Sequence, residues 1–252
     1  IMLSMGYYRF TQTQIVKKEI VIHKDGGSHP RLRAVVLSDM HLGITVDKKK
    51  LKRYVDLINA QQPDLILIAG DLIDNNLRPL EEGKMHEELN RLNAPLGVYM
   101  SLGNHEYISG LNEATAFIDK TNITLLKDRA VNIDHSFWLI GRDDLSNTDR
   151  LPIARLIEET DTSQPLILLD HQPYHLEEAE KNGIDLQVSG HTHAGQLWPL
   201  NYIVDAIYEV GHGYKEKGAT HVYVSSGLGL WGPQFRIGTQ SELIVFDITF
   251  SK

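Results

Sequence analysis

The sequence contains no cysteine. Disulfide bridges and thiolate zinc sites are therefore excluded. The redox compartment stays open, because a cysteine-free chain tolerates both reducing and oxidising surroundings. No apolar run approaches the roughly 18 residues of a membrane span, and no secretory signal peptide is visible. Positive charge is in short supply: 25 Lys and Arg against 33 Asp and Glu leave a net charge of -8. That balance argues against a nucleic-acid partner, whose backbone asks for a basic face. It leaves room for a small anionic substrate, since bound cations would set the local field. Linkers, low-complexity tracts and domain breaks are missing as well. What is present, 252 residues with 42% hydrophobic side chains, predicts a single domain over 1–252 with a sizeable core.

Apolar runs and breakers order the chain. Ile15, Val16, Ile20, Val21 and Ile22 predict an edge strand over 14–23, and Asp25-Gly26-Gly27-Ser28 a turn. Buried strands are expected over 33–37, 65–69 and 98–102 from short β-branched or aliphatic runs. Between them lie helical spacings. Leu51, Tyr54, Val55 and Ile58 follow a candidate N-cap at Asp47; Met85, Leu89 and Leu92 predict a helix over 80–92; Leu111, Ala114, Phe117 and Ile118 give a third. The Lys48, Lys49, Lys50, Lys52 and Arg53 run reads as a solvated helix face. Alternation of strand and helix argues for parallel pairing in the first half. The second half predicts short strands over 123–126, 130–133, 137–140, 166–169, 184–188, 221–225 and 243–248. Helices are expected near Pro152, capped by Asp149, and over 174–181.

Metal-ligand residue types stand just after these apolar runs. Asp39-Met40-His41, Gly70-Asp71-Leu72-Ile73-Asp74, Gly103-Asn104-His105-Glu106, Asp170-His171 and Gly190-His191-Thr192-His193 each follow a strand. A His-x-His pair at a strand end is expected to put both rings on one side of the pleat. Ligands in layered α/β folds gather beyond the carboxyl ends of strands. Five such ends would bring Asp39, His41, Asp71, Asn104, His171, His191 and His193 into one crevice. Carboxylate, amide oxygen and imidazole together suit Mn, Zn or Fe better than Ca. Seven groups exceed the needs of one ion, so two divalent ions sharing a carboxylate is the economical reading. Of the other seven histidines, read as surface or structural, His212 is the one further candidate.

The set D-x-H, G-D-x-x-D, G-N-H-E, lone His and G-H-x-H, in this order from Asp39 to His193, resembles the calcineurin-like metallophosphoesterase superfamily. The resemblance implies a four-layer α/β/β/α sandwich of two mixed sheets, with a di-metal site at strand ends. It implies that Asp39, His41 and His193 hold one ion, that Asn104, His171 and His191 hold the other, and that Asp71 bridges them. It makes His105 the acid and Asp74 the residue that orients it. The stretch Gly190 to Gln196, Gly227-Leu228-Gly229 and Phe235-Arg236 resemble a bacterial branch whose members often carry N-terminal anchors or export signals. Some relatives in that branch act on cell-envelope lipid precursors. The chain begins at Ile1, not Met, so the expectation is a soluble domain whose upstream segment tethers it at a membrane or cell envelope. Within that branch Ala194 replaces the usual Gly, and Ser226 stands where Arg often precedes Gly-Leu-Gly. Asn75 occupies the place where protein phosphatases of the superfamily carry Arg. A missing guanidinium weakens the case for a phosphomonoester dianion, which Arg clamps bidentately.

Two adjacent cations can bind phosphoryl oxygens, acidify a bridging water and stabilise an in-line displacement. No covalent nucleophile with a paired base is evident. The expected reaction is therefore hydrolysis of a phosphodiester or pyrophosphate by direct attack of metal-bound hydroxide, with His105 protonating the leaving group. The substrate would be a small-molecule or lipid-linked phosphoester. The alternatives are a phosphomonoesterase and a non-catalytic metal-holding scaffold, which would have no need of an acid. Trp198, Tyr202, Tyr208, Trp231 and Phe235 could line an apolar substrate wall; the expectation is that they are core, because aromatics dominate core burial.

Overall fold

The structure is a computed structural model that describes residues 2–251. In chain order the strands are β1 (Gln14–Ile22), β2 (Arg31–Leu37), β3 (Leu65–Ala69), β4 (Val98–Ser101), β5 (Ile123–Leu125) and β6 (Arg129–Ile133). They continue as β7 (Phe137–Gly141), β8 (Leu166–Leu169), β9 (Leu186–Ser189), β10 (Gly213–Lys217), β11 (Thr220–Val224) and β12 (Glu242–Phe250). Two six-stranded sheets result, in the orders β1-β12-β2-β3-β4-β5 and β10-β11-β9-β8-β7-β6. The β2-β3-β4-β5 run is parallel throughout, while β12 pairs antiparallel with β2. In the second sheet β6–β7 and β10–β11 are antiparallel and the other pairings parallel. Both sheets are therefore mixed.

Strand alternation sorts the core into layers. Ala34, Val36, Leu65 and Leu67 face the second sheet and pack with Phe137, Leu139, Ile167, Leu186 and Phe246 in the central core. Their neighbours Val35, Leu37, Ile66 and Ile68 face outward onto helices. That outer layer contains α2 (Lys48–Asn59), α3 (Arg78–Glu82), α4 (Met85–Leu89), α5 (Asn104–Ile108) and α6 (Leu111–Ile118), preceded in the chain by α1 (Met2–Thr11). On the far side, Ile140, Leu166 and Leu168 pack against α7 (Ile153–Leu156) and α8 (Leu176–Lys181), and α9 is Asn201–Ile207. The arrangement is the α/β/β/α sandwich that the resemblance implied.

Several local expectations change. Asp47 caps α2 as expected, its side chain accepting from Lys50 N at 2.9 Å. The helix expected over 80–92 is two short ones, because the chain turns at Gly83 and Lys84, the latter left-handed at φ 48°. Both pieces still deliver Leu80, Met85 and Leu89 to the outer core. Near Pro152, the proline itself is the N-cap residue, with extended ψ, and Asp149 lies before the helix. The helices α1, α5 and α9 carry no periodic signal strong enough to have been read. None of the helices among the described residues is long and apolar enough to cross a membrane.

Phe246 joins both halves: it is fully buried between the sheets, its ring 5.5 Å from that of Tyr223 in edge-to-face geometry. Phe246→Ala is expected to lower unfolding stability by about 3–5 kcal/mol. Urea denaturation reads this, and a loss below about 1 kcal/mol would mean that the centre of the sandwich is not tightly packed.

Candidate metal centre

The candidate ligands leave the ends of β2, β3, β8 and β9 and the loop after β4. Their backbones bend sharply there. Asp39, His41, Asp71, His191 and His193 all have left-handed φ, between 48° and 71°. That region is uncommon for residues other than glycine, and Asp, Asn and His are the types that tolerate it best. The bend replaces the pleat as the cause of ring placement at the His-x-His pair. Both histidines lie beyond β9, and their rings go to different places. Close approach fixes the neighbours: at Gly70 (φ 78°) an added Cβ would sit 2.6 Å from His171 Nδ1.

Two groups of donor atoms form, each with all atoms within 4.8 Å of one another: Asp39, His41 and His193, and Asp71, His171 and His191. In the first, His41 Nε2 and His193 Nε2 face each other at 3.0 Å. In the second, His171 Nε2 is 3.1 Å from Asp71 Oδ2, and His191 Nδ1 is 2.9 Å from Asn104 Oδ1. All seven sequence-derived ligands are therefore brought together. A third group, His41, Asp71 and His105, lies between them.

The donor set fits divalent cations. Burial drives the His41 imidazole down to about 3, that of His191 to about 4 and that of His193 well below its ordinary value. Neutral imidazoles whose Nε2 atoms meet at 3.0 Å share one proton between them or, with both protons on Nδ1, present lone pairs to one point where a cation satisfies them. Burial also lowers His171, but Asp71 and Asp39 outweigh it and hold its imidazole high. Burial pushes the Asp39 carboxyl up to about 6, while His171 and the Ser38 hydroxyl pull it down. The Asp71 carboxyl, pushed up by burial, is held well below the carboxylate range by His171 and His41. The second nitrogen of His171 is anchored as metal-binding histidines require. His171 Nδ1 donates to the Ala69 carbonyl at 2.7 Å, which leaves Nε2 to face Asp71.

His105 lines the crevice, and its Nδ1 donates to the main-chain carbonyl of Asp74 at 2.7 Å. The carboxylate of Asp74 stands farther off, 3.5 Å from His105 Nδ1 and 3.6 Å from His41 Nδ1. The carbonyl thus orients His105, and the carboxylate lies between two imidazoles. His212 is at the surface and pairs with Glu242 at 3.2 Å, away from the ligands.

Two supporting residues escaped the sequence reading. Glu106 is fully buried and accepts from the amides of Gly103 (2.8 Å), Asp71 (3.0 Å) and Ile73 (3.0 Å). It ties two ligand loops together. Burial and Asp71 push its carboxyl up to about 8, against the pull of those amides. Arg236 is equally buried, and its guanidinium donates to the carbonyls of Gly229 (2.6 Å) and Ser226 (2.7 Å). Gly229 N and Leu228 N in turn donate to Asp39 O and Ser38 O. A cation from the Phe235-Arg236 motif therefore secures the loop where Ser226 stands in place of Arg. A glutamate in a ligand motif was a visible signal; the reach of Arg236 was not.

The calcineurin-like phosphoesterase family profile matches residues 32–195. The chain belongs to that family. An uncharacterized metallophosphoesterase of Campylobacter jejuni is 36% identical over 88% of this chain and 60% of its own length. One from Aquifex aeolicus is 31% identical over 98% of this chain and 97% of its own. A Danio rerio protein named as a transmembrane protein with metallophosphoesterase domain is 34% identical over 91% of this chain and 56% of its own. The chain thus spans a little over half the length of the Campylobacter and Danio relatives. Among solved structures, a 5'-nucleotidase precursor of Thermus thermophilus aligns with TM-score 0.53 at 14% identity, covering 86% of this chain and 55% of that one. A calcineurin-like phosphoesterase of Bacillus subtilis aligns with TM-score 0.50 at 18% identity, covering 78% and 81%. At such identities the likeness concerns the fold.

The aromatic expectation is overturned. Trp198, Tyr202 and Trp231 are 58%, 64% and 47% exposed, and Tyr208 and Phe235 are half-buried. They belong to α9 and the loops beside the metal centre, outside the hydrophobic clusters between the sheets and under the helices.

Glu106→Gln would turn an NH2 group toward an amide donor. The variant is expected to lose about 1–3 kcal/mol of stability and about 10–100-fold in metal affinity. Calorimetric titration with Mn and chemical unfolding check both; unchanged metal affinity would show that the two loops hold their positions without the clamp.

Proposed function

We propose that the chain is the catalytic domain of a di-metal phosphodiesterase or pyrophosphatase that works at a membrane. The observation that carries the reading is the pairing of two three-residue ligand groups, Asp39-His41-His193 and Asp71-His171-His191, around one crevice. Asp71 sits between them and is read as the bridging ligand, with Asn104 completing the second set. When bound, two divalent ions would supply charge neutralisation at phosphoryl oxygens and an acidified water.

The chain's own residues supply the rest. The crevice, about 490 Å³, has no Lys or Arg among its lining residues. A phosphomonoester dianion would find no guanidinium there, which favours a diester or pyrophosphate. His105 has Nδ1 engaged with a carbonyl, so its other ring nitrogen is the one available to a leaving oxygen. A membrane setting is supported by the relatives named as transmembrane proteins in Danio rerio and Bos taurus. A lipid-linked phosphoester is then the substrate class in keeping with both. The deciding assay compares p-nitrophenyl phosphate with bis-p-nitrophenyl phosphate in Mn, Zn and Fe. Preference for the monoester would establish the alternative phosphomonoesterase, and no turnover with two metals bound would establish a scaffold.

Two substitutions separate the roles. Asp71→Asn is expected to weaken both metal sites, because one carboxylate neutralises two cations; two full-occupancy ions by metal analysis would refute the bridge. His105→Ala is expected to keep both metals and to slow an alkyl phosphodiester by roughly 10²–10⁴. Bis-p-nitrophenyl phosphate, whose leaving group departs without a proton, should be slowed far less. Metal loss in His105→Ala would make it a ligand, as its place in the third donor group allows. Equal slowing of both substrates would make it a stabiliser of phosphoryl charge.

A further inference from the structure

The helix α9 buries none of its seven residues, Asn201–Ile207. Tyr202, Ile203 and Ile207 are exposed, and so are Leu200, Trp198 and Trp231 beside them. An apolar patch of this kind marks a surface that something covers. It is also continuous with the metal centre. One wall of the crevice is Asp71, Asn104, His105 and His191; the other includes Leu200, Ile203, Ile207 and Trp231. A phosphoryl group at the polar wall would carry its attached apolar body onto α9.

We propose that α9, with Trp198 and Trp231 at its edges, docks on a lipid bilayer and takes the phosphoester headgroup of a lipid from it into the crevice. The proposal deepens the reading above and rests on it for the chemistry of the headgroup. Three features favour a bilayer over a second copy of the chain. A copy seated on α9 would close the mouth of the crevice. Trp and Tyr beside Ile and Leu are the composition of interfacial anchors, with apolar bodies in the acyl boundary and polar tips in the headgroups. Charge supplies the third. The loop bearing Trp231 continues to Gln234, which lines a second groove of about 630 Å³ with Tyr7, Ile44, Lys49 and Arg53. Ile44 is 86% exposed, and Lys49 and Arg53 stand out to solvent with Lys52. In a chain of net charge -8, this basic helix face beside exposed apolar groups complements anionic headgroups. The solvated lysine face of α2 acquires a use. Asp205 is the single acid on α9.

The test uses the 252-residue chain with vesicles of phosphatidylglycerol and phosphatidylcholine, and of phosphatidylcholine alone, read by co-sedimentation and tryptophan emission. Wild type should sediment with the mixed vesicles and shift its emission to the blue, and Trp198→Phe/Trp231→Phe should abolish the shift. Ile203→Ser/Ile207→Ser should bind about tenfold or more weakly, roughly the burial of one apolar side chain. Lys49→Glu/Arg53→Glu should lose the preference for the anionic vesicles. These positions are solvent-facing, and circular dichroism with thermal melting confirms the fold of each variant. No binding to either vesicle, binding unchanged in the isoleucine variant, or a dimer in solution that Ile203→Ser/Ile207→Ser dissociates would each overturn the proposal. Binding is read without turnover, so the two readings fail separately. A chain that binds vesicles through α9 but hydrolyses no phosphoester refutes the catalytic reading alone. One that hydrolyses bis-p-nitrophenyl phosphate but ignores vesicles refutes the docking alone.

Discussion

Imidazole nitrogens buried 3.0 Å apart, with burial holding both rings neutral, set the terms for this molecule. Lone pairs facing each other away from water are costly unless a proton or a cation joins them. The architecture around them makes sense as the means of holding that arrangement. Two sheets packed face to face bring the ends of β2, β3, β8 and β9 to one rim, and the loops beyond them turn inward. Glu106 ties the Asp71 loop to the Asn104 loop through three amides, and Arg236 ties the Gly227–Gly229 loop through its carbonyls. An acid and a base, both fully buried, thus brace different loops of one centre.

Much of this was legible because ligand residues stand directly after apolar runs. A short run such as Leu65–Ala69 reads as a buried strand, and the residues that follow must then lie at its carboxyl end. Seven such residues in five stretches leave little freedom for where the centre is. What escaped was of two kinds. Supporting contacts depend on where a side chain reaches: Arg236 is a surface-type residue in sequence, and only the fold carries it to the carbonyl of Ser226. Likewise the carbonyl of Asp74, a group every residue has, orients His105 at 2.7 Å, a role its carboxylate seemed suited to. The second kind was exposure. Trp198, Tyr202 and Trp231 read as core because aromatics dominate core burial, and nothing local in a sequence tells how much of such a ring the fold will cover.

The two halves of the crevice differ in how firmly they are built. On the sheet side Asp39, His41, Asp71, His171 and His193 are buried, and the backbones of Asp39 and His41 donate to the Gly70 and Asp71 carbonyls of the neighbouring loop. On the α9 side the wall is a helix that makes little core of its own, joined to the rest through the turn around Gly195 and a parallel bridge between Leu197 and Ile237. Elements with few buried contacts are the ones that open first and move most readily. On the proposed reading, chemistry falls to the firmly built half and recognition to the half with fewer buried contacts.

The left-handed backbone at Asp39, His41, Asp71, His191 and His193 also limits how the centre could be re-engineered. Asp, Asn and His enter that conformation more readily than other side chains. Metal chemistry and backbone geometry have thus selected the same residue types for separate reasons. Exchanging Asp71 for Glu, or His193 for a thiolate, would strain the turn before it altered the coordination. Retuning this scaffold for a different metal therefore means redesigning loops together with ligands.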